Sequence, residues 1–336
     1  EATDELVEFA ELVQAPVVTT LAGKSAFPEN HPLDTGTAAY SGTGASYHFL
    51  QKCDLVFGIG CSFTNAPLST PIPGGKVMAQ ATIDESDINK EYVIDHPIIG
   101  DAKLVLGQLI EAVKALIGEE GRRGDTSTSD EVRAEKDQWL AKWMPKLTSD
   151  EMPLNPYRVI WDLMHAVDRT KTIITHDSGN PRDQLVPFWE TLIPRGYIGW
   201  GKSTQLGYGL GLAMGAKLGA PENLVINVMG DGAFGMAGMD IETAVRNKIG
   251  ILTIVFDNGI MAIERDHMPF TADTMDSLDL GGDYVKIADG LGAWSKRVDH
   301  PDDFVTALKE AIEVTKTGQP ALLDCIVKEG HDFSKY

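Results

Sequence analysis

The stretch that most constrains the fold is residues 224–260, which has the pattern of one strand–helix–strand unit. An apolar run ends in Gly230-Asp231-Gly232, and a second apolar run is closed by Asp257-Asn258-Gly259. Such runs are typical of strands buried on both faces of a parallel sheet. A crossover of this length makes the strands parallel and the connection right-handed. If the two strands are neighbours, Asp231 and Asn258 converge at one edge of the sheet.

Between the two apolar runs, the hydrophobic period changes to about 3.6 over residues 236–247, which predicts a helix. Its expected inner stripe consists of Met236, Met239, Ala244 and Val245.

A carboxylate, an amide oxygen and an exposed backbone carbonyl are hard oxygen ligands, which suit Mg²⁺ or Ca²⁺ better than zinc. Gly230 and Gly232 allow backbone amides to approach an anion, and the helix that follows points its amino end at it. Because the protein supplies only two or three oxygens, positions on the ion stay open for the phosphate oxygens of a ligand. An ordinary strand–turn–helix is the alternative for a lone Gly-Asp-Gly turn. The matched Asn258 favours a metal–diphosphate site.

The sequence Gly230-Asp231-Gly232, followed at a fixed interval by Asp257-Asn258, resembles the signature of thiamine-diphosphate-dependent enzymes, which begins GDG and ends NN. Asp257 stands where that motif has its first Asn. The resemblance implies that Asp231, Asn258 and the carbonyl of Ile260 bind Mg²⁺. It also implies a set of residues around the cofactor on this side, namely Gly230, Asp231, Gly232, Ala233, Asn258, Ile260 and Met261.

Length and composition predict two globular α/β domains. The chain has 336 residues, 43% of them hydrophobic, and no apolar run of membrane-spanning length. Its net charge of −20 argues against a nucleic-acid partner. Cys53, Cys61 and Cys325 show no paired spacing, which favours buried thiols in a reducing compartment, so we expect a cytoplasmic protein.

We expect two doubly wound parallel-sheet domains. Residues 1–117 form a Rossmann-like central domain, residues 118–150 a polar linker with a helix, and residues 151–336 the diphosphate-binding domain.

In the first domain, Gly58-Ile59-Gly60 and Asp84 weakly suggest a dinucleotide site that lacks its third glycine. Several segments resemble the central domain of the acetolactate synthase-like branch, among them Gly23-Lys24, Phe27-Pro28 and His31-Pro32-Leu33. That resemblance implies FAD, an ADP-type activator, coenzyme A or no ligand. Members with FAD or ADP often carry Gly-Ala-Arg-Phe at the position of Gly60-Cys61-Ser62-Phe63. The missing Arg makes bound FAD or ADP doubtful.

In the second domain, a predicted strand at residues 172–175 ends in His176-Asp177-Ser178-Gly179-Asn180. Ligands bind at such strand ends in open α/β sheets. His176 and Asp177 could form an acid–base pair, but neighbours on an extended chain point to opposite faces, which disfavours it. The resemblance implies that the backbone of Gly179 and Asn180 contacts the cofactor diphosphate.

Residues 199–215 resemble the family's glycine-rich segment, with Leu206 in place of a Met that props the cofactor in its bent conformation. Leu206 is therefore the candidate catalytic residue. For Lys202 and Gln205 the sequence leaves two orientations equally open, toward a substrate or toward solvent.

Branched-chain acetohydroxyacid synthases resemble this chain around residues 261–267 but place a Trp near His267. Because of that difference, the branched-chain acetohydroxyacid synthase reaction is a weaker expectation for this chain. The acidic residues 269–283 could form a lid or an exposed loop.

In this family, a Glu from a separate pyrimidine-binding domain drives the cofactor into its reactive form, and no part of the chain resembles that domain. We expect a second, shorter polypeptide to supply it, in a hetero-oligomer such as a dimer of heterodimers. The alternative is a trimmed chain or a fragment of a longer one.

The resemblance implies a lyase or transferase that breaks or forms a C–C bond next to a carbonyl, on a 2-oxo acid or an acyl-CoA. Acetolactate-type ligation, 2-hydroxyacyl-CoA lyase or decarboxylase chemistry, and simple 2-oxo acid decarboxylation remain open. The other classes are a non-catalytic cofactor-binding or regulatory subunit, and a nicotinamide dehydrogenase built on residues 58–63.

Overall fold

A computed structural model of the protein describes residues 2–65, 69–201, 204–330 and 332–335. The described chain divides into two compact units. One contains the residues up to Lys142 together with the C-terminal residues from Ser334, and the other is Trp143–Phe333. Each unit contains parallel strands covered by helices, which confirms the α/β fold class. The boundaries at residues 117 and 151 stay a prediction.

The first unit contains two small parallel sheets, one with strand order β1-β2 and one with strand order β3-β4-β5. In chain order its elements are α1 (Thr3–Val13), β1 (Val17–Thr20), β2 (Asp34–Ala38), α2 (Gly44–Lys52), β3 (Leu55–Ile59), β4 (Val77–Thr82), β5 (His96–Ile99), α3 (Ala102–Ile117) and most of α4 (Ser127–Leu147).

The second unit is built on a six-stranded parallel sheet with strand order β10-β11-β9-β8-β6-β7. Its elements are α5 (Pro156–Ala166), β6 (Thr172–His176), α6 (Asn180–Phe188), β7 (Tyr197–Ile198), α7 (Tyr208–Gly219), β8 (Leu224–Gly230), α8 (Asp231–Ala237), α9 (Ile241–Arg246), β9 (Leu252–Asp257), α10 (Pro269–Met275), α11 (Tyr284–Gly290), β10 (Trp294–Val298), α12 (Pro301–Thr315) and β11 (Ala321–Ile326).

The centre of this sheet is fully buried. The five residues from Val225 to Met229 in β8 are all buried, and so is every residue of β6. Helices on the two faces of a parallel sheet exclude water from both sides of its central strands, which is why β8 is mostly apolar. The condition for Asp231 and Asn258 to converge is met, because β8 and β9 are neighbours that pair in parallel with Gly230 opposite Phe256.

The helix predicted over residues 236–247 is wrong in its bounds and in half of its inner stripe. The helix α8 begins at once at Asp231, and a 3-10 turn at Gly238–Asp240 separates it from α9. This turn shifts the helical phase. As a result Met236 and Met239 are 64% and 69% exposed, whereas Ala244 is buried. The buried positions on this crossover are Ala233, Phe234, Ile241 and Ala244.

The segment after the second strand also has more structure than a loop. Residues Pro269–Met275 form α10, and Leu278 packs with Ile260, Ala262 and Ala272 in a small apolar cluster. An isolated antiparallel bridge joins Ile260 to Asp279. The segment therefore supports the turn that follows β9.

In the first unit, the polar stretch between α3 and α4 is attached to α1. The amide of Arg122 donates to the carbonyl of Leu12 at 2.8 Å, and the guanidinium of Arg123 lies 3.8 Å from the carboxylate of Glu8.

Within the described residues, none of the helices combines the length and the hydrophobicity needed to span a membrane.

Candidate functional site

Three neighbouring strands bring the predicted site residues to one edge of the six-stranded sheet. The strands β6, β8 and β9 are parallel and adjacent, so their carboxyl ends lie side by side. Asp231 follows the last residue of β8, and Asp257 is the last residue of β9. The carboxyl edge of an open α/β sheet is where ligands bind in such folds.

Asp231 is held in place by backbone amides. Its side chain is buried, and its two carboxylate oxygens accept the N–H groups of Gly232 and Gly259, each at 2.8 Å. The second bond joins the end of β8 to the turn after β9. Burial, to which the neighbouring Asp257 carboxyl adds, raises the pKa of Asp231 to about 6. A buried carboxylate of this kind is stabilised by a cation.

The turn after β9 presents the other predicted metal ligands. The amide oxygen of Asn258 accepts the N–H of Ile260 at 3.2 Å. Gly259 has φ +71°, a conformation that glycine adopts without strain. In the bridge to Asp279, Leu280 donates to the carbonyl of Gly259 and Met261 donates to that of Leu278. This pattern points the Ile260 carbonyl away from the bridged segment, where it is available to an ion.

The donor set fits the implied Mg²⁺. One buried carboxylate, one amide oxygen and one backbone carbonyl are oxygen ligands, and three of them leave positions for phosphate oxygens. Among the described residues, no group of three or more His, Cys, Asp or Glu side chains could hold a metal by itself. The fit therefore depends on this mixed set and on a ligand that completes it.

Glycines keep the backbone accessible where a diphosphate is expected. A Cβ on Gly232 would lie 2.4 Å from the sulfur of Met261, so the turn closes tightly against that side chain. Ala233 points into the core, so its backbone alone can face a ligand.

The loop after β6 reaches the same place. Gly179 has φ +91° and caps the amino end of α6, and a Cβ on Gly230 would lie 3.7 Å from the ring of Pro181. Backbone amides at the amino end of a helix attract anions. The side chain of Asn180 donates to the carbonyl of Gly330 at 3.0 Å, while its amide oxygen is buried without a partner among the described residues. That oxygen can accept a hydrogen bond from a ligand.

Three consecutive residues at the end of β6 hold the amino end of α7. The carboxylate of Asp177 accepts the N–H groups of Gly207 at 2.8 Å, Gly209 at 3.0 Å and Ser178 at 2.9 Å. The hydroxyl of Thr175 lies 3.1 Å from the carbonyl oxygen of Gly209, and Nδ1 of His176 lies 3.1 Å from the hydroxyl of Tyr208.

The alternative of a His176–Asp177 acid–base pair does not fit this arrangement. Both side chains are fully buried and bound to α7. Burial lowers the pKa of His176 to about 3. Burial also raises the pKa of Asp177, an effect that its three amide donors oppose. Both residues therefore support the structure around the site.

Sequence reasoning missed this group of buried polar residues, although a signal was present. Asn227 lies in the middle of the apolar strand β8, and its amide oxygen is 3.0 Å from the hydroxyl of Thr175. A polar residue inside a fully buried strand must find a partner there, since burying it unpaired is costly.

Leu206 precedes Gly207 and is therefore positioned by the bond from Gly207 to Asp177. It is partly buried and packs against the core cluster that also contains Ala233 and Phe234. Gln205 and His267 are exposed, and Lys202 lies outside the described residues.

In the first unit, the glycine turn that suggested a nucleotide is filled by a side chain. A Cβ on Gly58 would lie 2.3 Å from the ring of Phe63, which is buried with Met78 and Ile94. Asp84 accepts hydrogen bonds from the amide and hydroxyl of Ser86 at 3.0 and 2.7 Å. This packing favours the expectation that a dinucleotide does not bind here, which stays a prediction.

Comparison with known families gives two matches. The family described as "Thiamine pyrophosphate enzyme, C-terminal TPP binding domain" matches residues 177–325. The family described as "Thiamine pyrophosphate enzyme, central domain" matches residues 1–109. The first range contains every predicted cofactor, metal and catalytic residue.

Among known proteins, the chain is similar to a probable acetolactate synthase large subunit of Methanocaldococcus jannaschii, with 32% identity over 97% of this chain and 55% of the relative. It is also similar to the acetolactate synthase isozyme 3 large subunit of Escherichia coli, with 26% identity over 96% of this chain and 56% of the relative. The chain thus spans a little over half the length of these curated relatives.

Among solved structures, the fold is similar to that of benzoylformate decarboxylase from Polynucleobacter necessarius. The TM-score is 0.76 at 24% identity, over 98% of this chain and 60% of that one. At this identity the likeness concerns the fold alone.

Proposed function

The chain belongs to the thiamine pyrophosphate enzyme family, whose central and C-terminal domains it carries, and on this basis we propose that residues 151–336 bind thiamine diphosphate through Mg²⁺. The observation that carries the proposal is the hydrogen bond from Gly259 to Asp231. It fixes the carboxylate against the turn that presents Asn258 and the Ile260 carbonyl.

In this proposal Asp231, Asn258 and the carbonyl of Ile260 hold the ion. The diphosphate lies against backbone groups from the two loops, contributed by Gly179, Asn180, Gly230, Gly232, Ala233 and Met261. When bound, thiamine diphosphate supplies a carbon nucleophile and an electron sink for chemistry at a carbonyl carbon. The protein binds and orients it.

Leu206 is proposed to support the bent cofactor conformation by packing. Its position depends on Asp177, which holds the next residue, Gly207, through a buried hydrogen bond. An apolar side chain next to a fixed glycine turn is suited to packing under a ring, because it has no polar group to satisfy.

We propose a lyase or transferase that breaks or forms a C–C bond next to a carbonyl. The names of the similar proteins favour acetolactate-type ligation of 2-oxo acids, and decarboxylation or acyl-CoA lyase chemistry are the narrower alternatives. We further propose that a pyrimidine-binding domain with the activating Glu comes from outside this chain, in a hetero-oligomer.

Titration calorimetry of the cation-free protein with thiamine diphosphate tests the cofactor site. We expect tight binding in Mg²⁺ and far weaker binding in EDTA. Asp231→Asn removes a direct ligand, so it should weaken Mg²⁺-dependent binding by more than the roughly 10–100-fold loss that outer contacts cause. Asp240→Asn, an exposed carboxylate on the same crossover, is the matched control and should bind like the wild type. Equal binding by Asp231→Asn would contradict the metal assignment.

A further inference from the structure

One amide proton serves two carboxylates at the proposed cation site. The N–H of Gly259 lies 2.8 Å from Oδ2 of Asp231 and 3.2 Å from Oδ1 of Asp257. Asp257 is thus part of the arrangement around Asp231, although the motif that led to the site does not assign it as a ligand.

The pairing follows from strand register. Gly230 lies opposite Phe256, so the next residues on the two strands, Asp231 and Asp257, leave the sheet side by side. The Asn that the resembling motif has at position 257 would offer the same oxygen to the Gly259 amide without a charge. The difference between Asp and Asn here is therefore one negative charge, with little change of shape.

The guanidinium of Arg297 acts on that charge, but it is bound to other carboxylates. Arg297 donates two hydrogen bonds to Oδ2 of Asp324, at 3.0 and 3.1 Å, and lies 3.6 Å from Asp283. Oδ1 of Asp324 is buried without a partner among the described residues. Burial and then the Asp257 charge raise the pKa of Asp324 to about 6. One guanidinium thus faces an excess of carboxylates, from the ends of β8 and β9, from the middle of β11 and from the amino end of α11.

The raised pKa of the Tyr284 hydroxyl indicates the same excess of negative charge. It is buried beside this edge of the sheet, and burial raises the pKa of its hydroxyl to about 12, with Asp231, Asp257 and Asp324 all adding to the effect. A divalent cation at Asp231 relieves this repulsion, whereas a bare diphosphate increases it.

We propose that Asp257 is a second carboxylate of the cation site, which strengthens divalent-ion binding and weakens binding of the diphosphate without the ion. The inference rests on the proposed function and adds a regulatory property to that site: a preferred order, in which the cation binds before the diphosphate. Asp257 acts here through its charge and through the shared amide of Gly259, as an outer partner of the direct ligands.

Asp257→Asn should change two measurements in opposite directions. Titration with Mn²⁺ as the probe, followed by the loss of the free-ion signal in electron paramagnetic resonance, should show a roughly 10–100-fold weaker affinity in the presence of thiamine diphosphate. In EDTA, calorimetric titration with thiamine diphosphate should show about fivefold tighter binding than the wild type, since one like charge has been removed.

Asp279→Asn is the matched control. Asp279 is exposed on the segment bridged to Ile260, so its charge is screened by solvent and both affinities should stay within about twofold of the wild type. Thermal unfolding in EDTA checks the fold, and Asp257→Asn should unfold at the wild-type temperature or above it.

The outcomes separate the two proposals. Weaker Mn²⁺ binding together with tighter ion-free diphosphate binding supports the role of Asp257. If the wild type binds both ligands and Asp257→Asn has the same two affinities, or if both affinities fall together, the inference is wrong while the proposed function stands. If the wild type binds neither Mn²⁺ nor thiamine diphosphate, the proposed function fails and the inference fails with it.

Discussion

Among single residues, Asp231 combines a negative charge with burial, two properties that oppose each other. Its two amide partners stabilise the charge in part, but the pKa of about 6 shows that the protein without a cation binds a proton there more readily than the unfolded chain does. In water an aspartate has a pKa near 4. Asp231 therefore links stability to pH and to cation binding.

Because the pKa of Asp231 is higher in the folded state, its contribution to stability is complete below pH ~4 and disappears as the pH rises through ~6. We expect the free energy of unfolding of the cation-free wild type to fall by about 2 kcal/mol relative to Asp231→Asn between pH 4.5 and 7.5. Urea unfolding in EDTA measures this difference. Asp240→Asn should show no such trend, and a flat difference for Asp231→Asn would refute the assignment. Saturating Mg²⁺ should restore the wild type at the higher pH.

Single residues also show the limit of sequence reasoning. The Gly-Asp-Gly turn and Asn258 could be found because their order and spacing are local. The role of Asp177 could not be found that way, because its carboxylate binds amides at positions 207 and 209, some thirty residues away. The sequence allows an acid–base pair at residues 176 and 177 but disfavours it, because neighbours on an extended chain point to opposite faces. Their burial, which the sequence does not show, gives them a structural role.

At the scale of elements, the strands were easier to predict than the helix between them. The apolar runs fix β8 and β9 to within about one residue, since a central parallel strand must be apolar on both faces. The prediction of the helix failed because the helical phase changes at the 3-10 turn Gly238–Asp240, and a single hydrophobic period cannot describe such a segment. Met236 and Met239 were placed inside for that reason.

Strand β2 (Asp34–Ala38) shows the opposite difficulty. Its sequence, Asp-Thr-Gly-Thr-Ala, contains no apolar run, yet Asp34, Thr35 and Thr37 are fully buried. Their partners come from elsewhere: Lys136 binds Asp34 at 2.6 Å, and Lys24 donates to the hydroxyl of Thr37 at 3.4 Å. Hydrophobic patterning cannot detect a strand whose burial depends on distant charges.

The first turn of α7 is a packed element, and two of its glycines allow a direct test. A Cβ on Gly209 would lie 2.5 Å from Oδ1 of Asn227 and 2.7 Å from the backbone oxygen of His176, whereas a Cβ on Gly211 would meet no atom within 4 Å. We expect Gly209→Ala to lower the free energy of unfolding by about 2–3 kcal/mol through overpacking. Gly211→Ala should raise it by about 0.5–1 kcal/mol, because alanine favours the helix.

Urea unfolding of the two variants, side by side, measures the contrast. Gly211→Ala serves as the matched control because it makes the same change in the same helix. Equal effects from the two substitutions would show that the buried polar residues Thr175, Asp177 and Asn227 do not hold this turn tightly.

For the whole molecule, the central question is how much of an enzyme this chain represents. The residues that match the family's central domain lie in one compact unit, those that match its C-terminal domain lie in the other, and the chain covers 55% of the M. jannaschii relative. The sequence predicted both domains from composition and strand–helix alternation. The expectation that a second polypeptide supplies the pyrimidine-binding domain rests on the family resemblance alone, because no residue pattern in this chain identifies a partner.

We expect the chain, tagged and isolated from its native host, to bring with it a polypeptide of roughly 180 residues, about the size of one domain. Mass spectrometry identifies such a partner, and its sequence should contain the Glu of a pyrimidine-binding domain. Turnover of a 2-oxo acid with thiamine diphosphate and Mg²⁺ should require both chains. Turnover by the isolated chain as a monomer would contradict the proposal of a separate subunit.

The shared amide of Gly259 has a practical consequence for spectroscopy. Its proton lies between two carboxylates that belong to different strands, so its nitrogen–proton resonance is sensitive to the charge on both. In a protein labelled with ¹⁵N on glycine alone, this one signal reports whether the edge of the sheet carries a proton, a cation or a cation with its phosphates. The order of ligand arrival can thus be followed at a single atom, without substrate and without turnover.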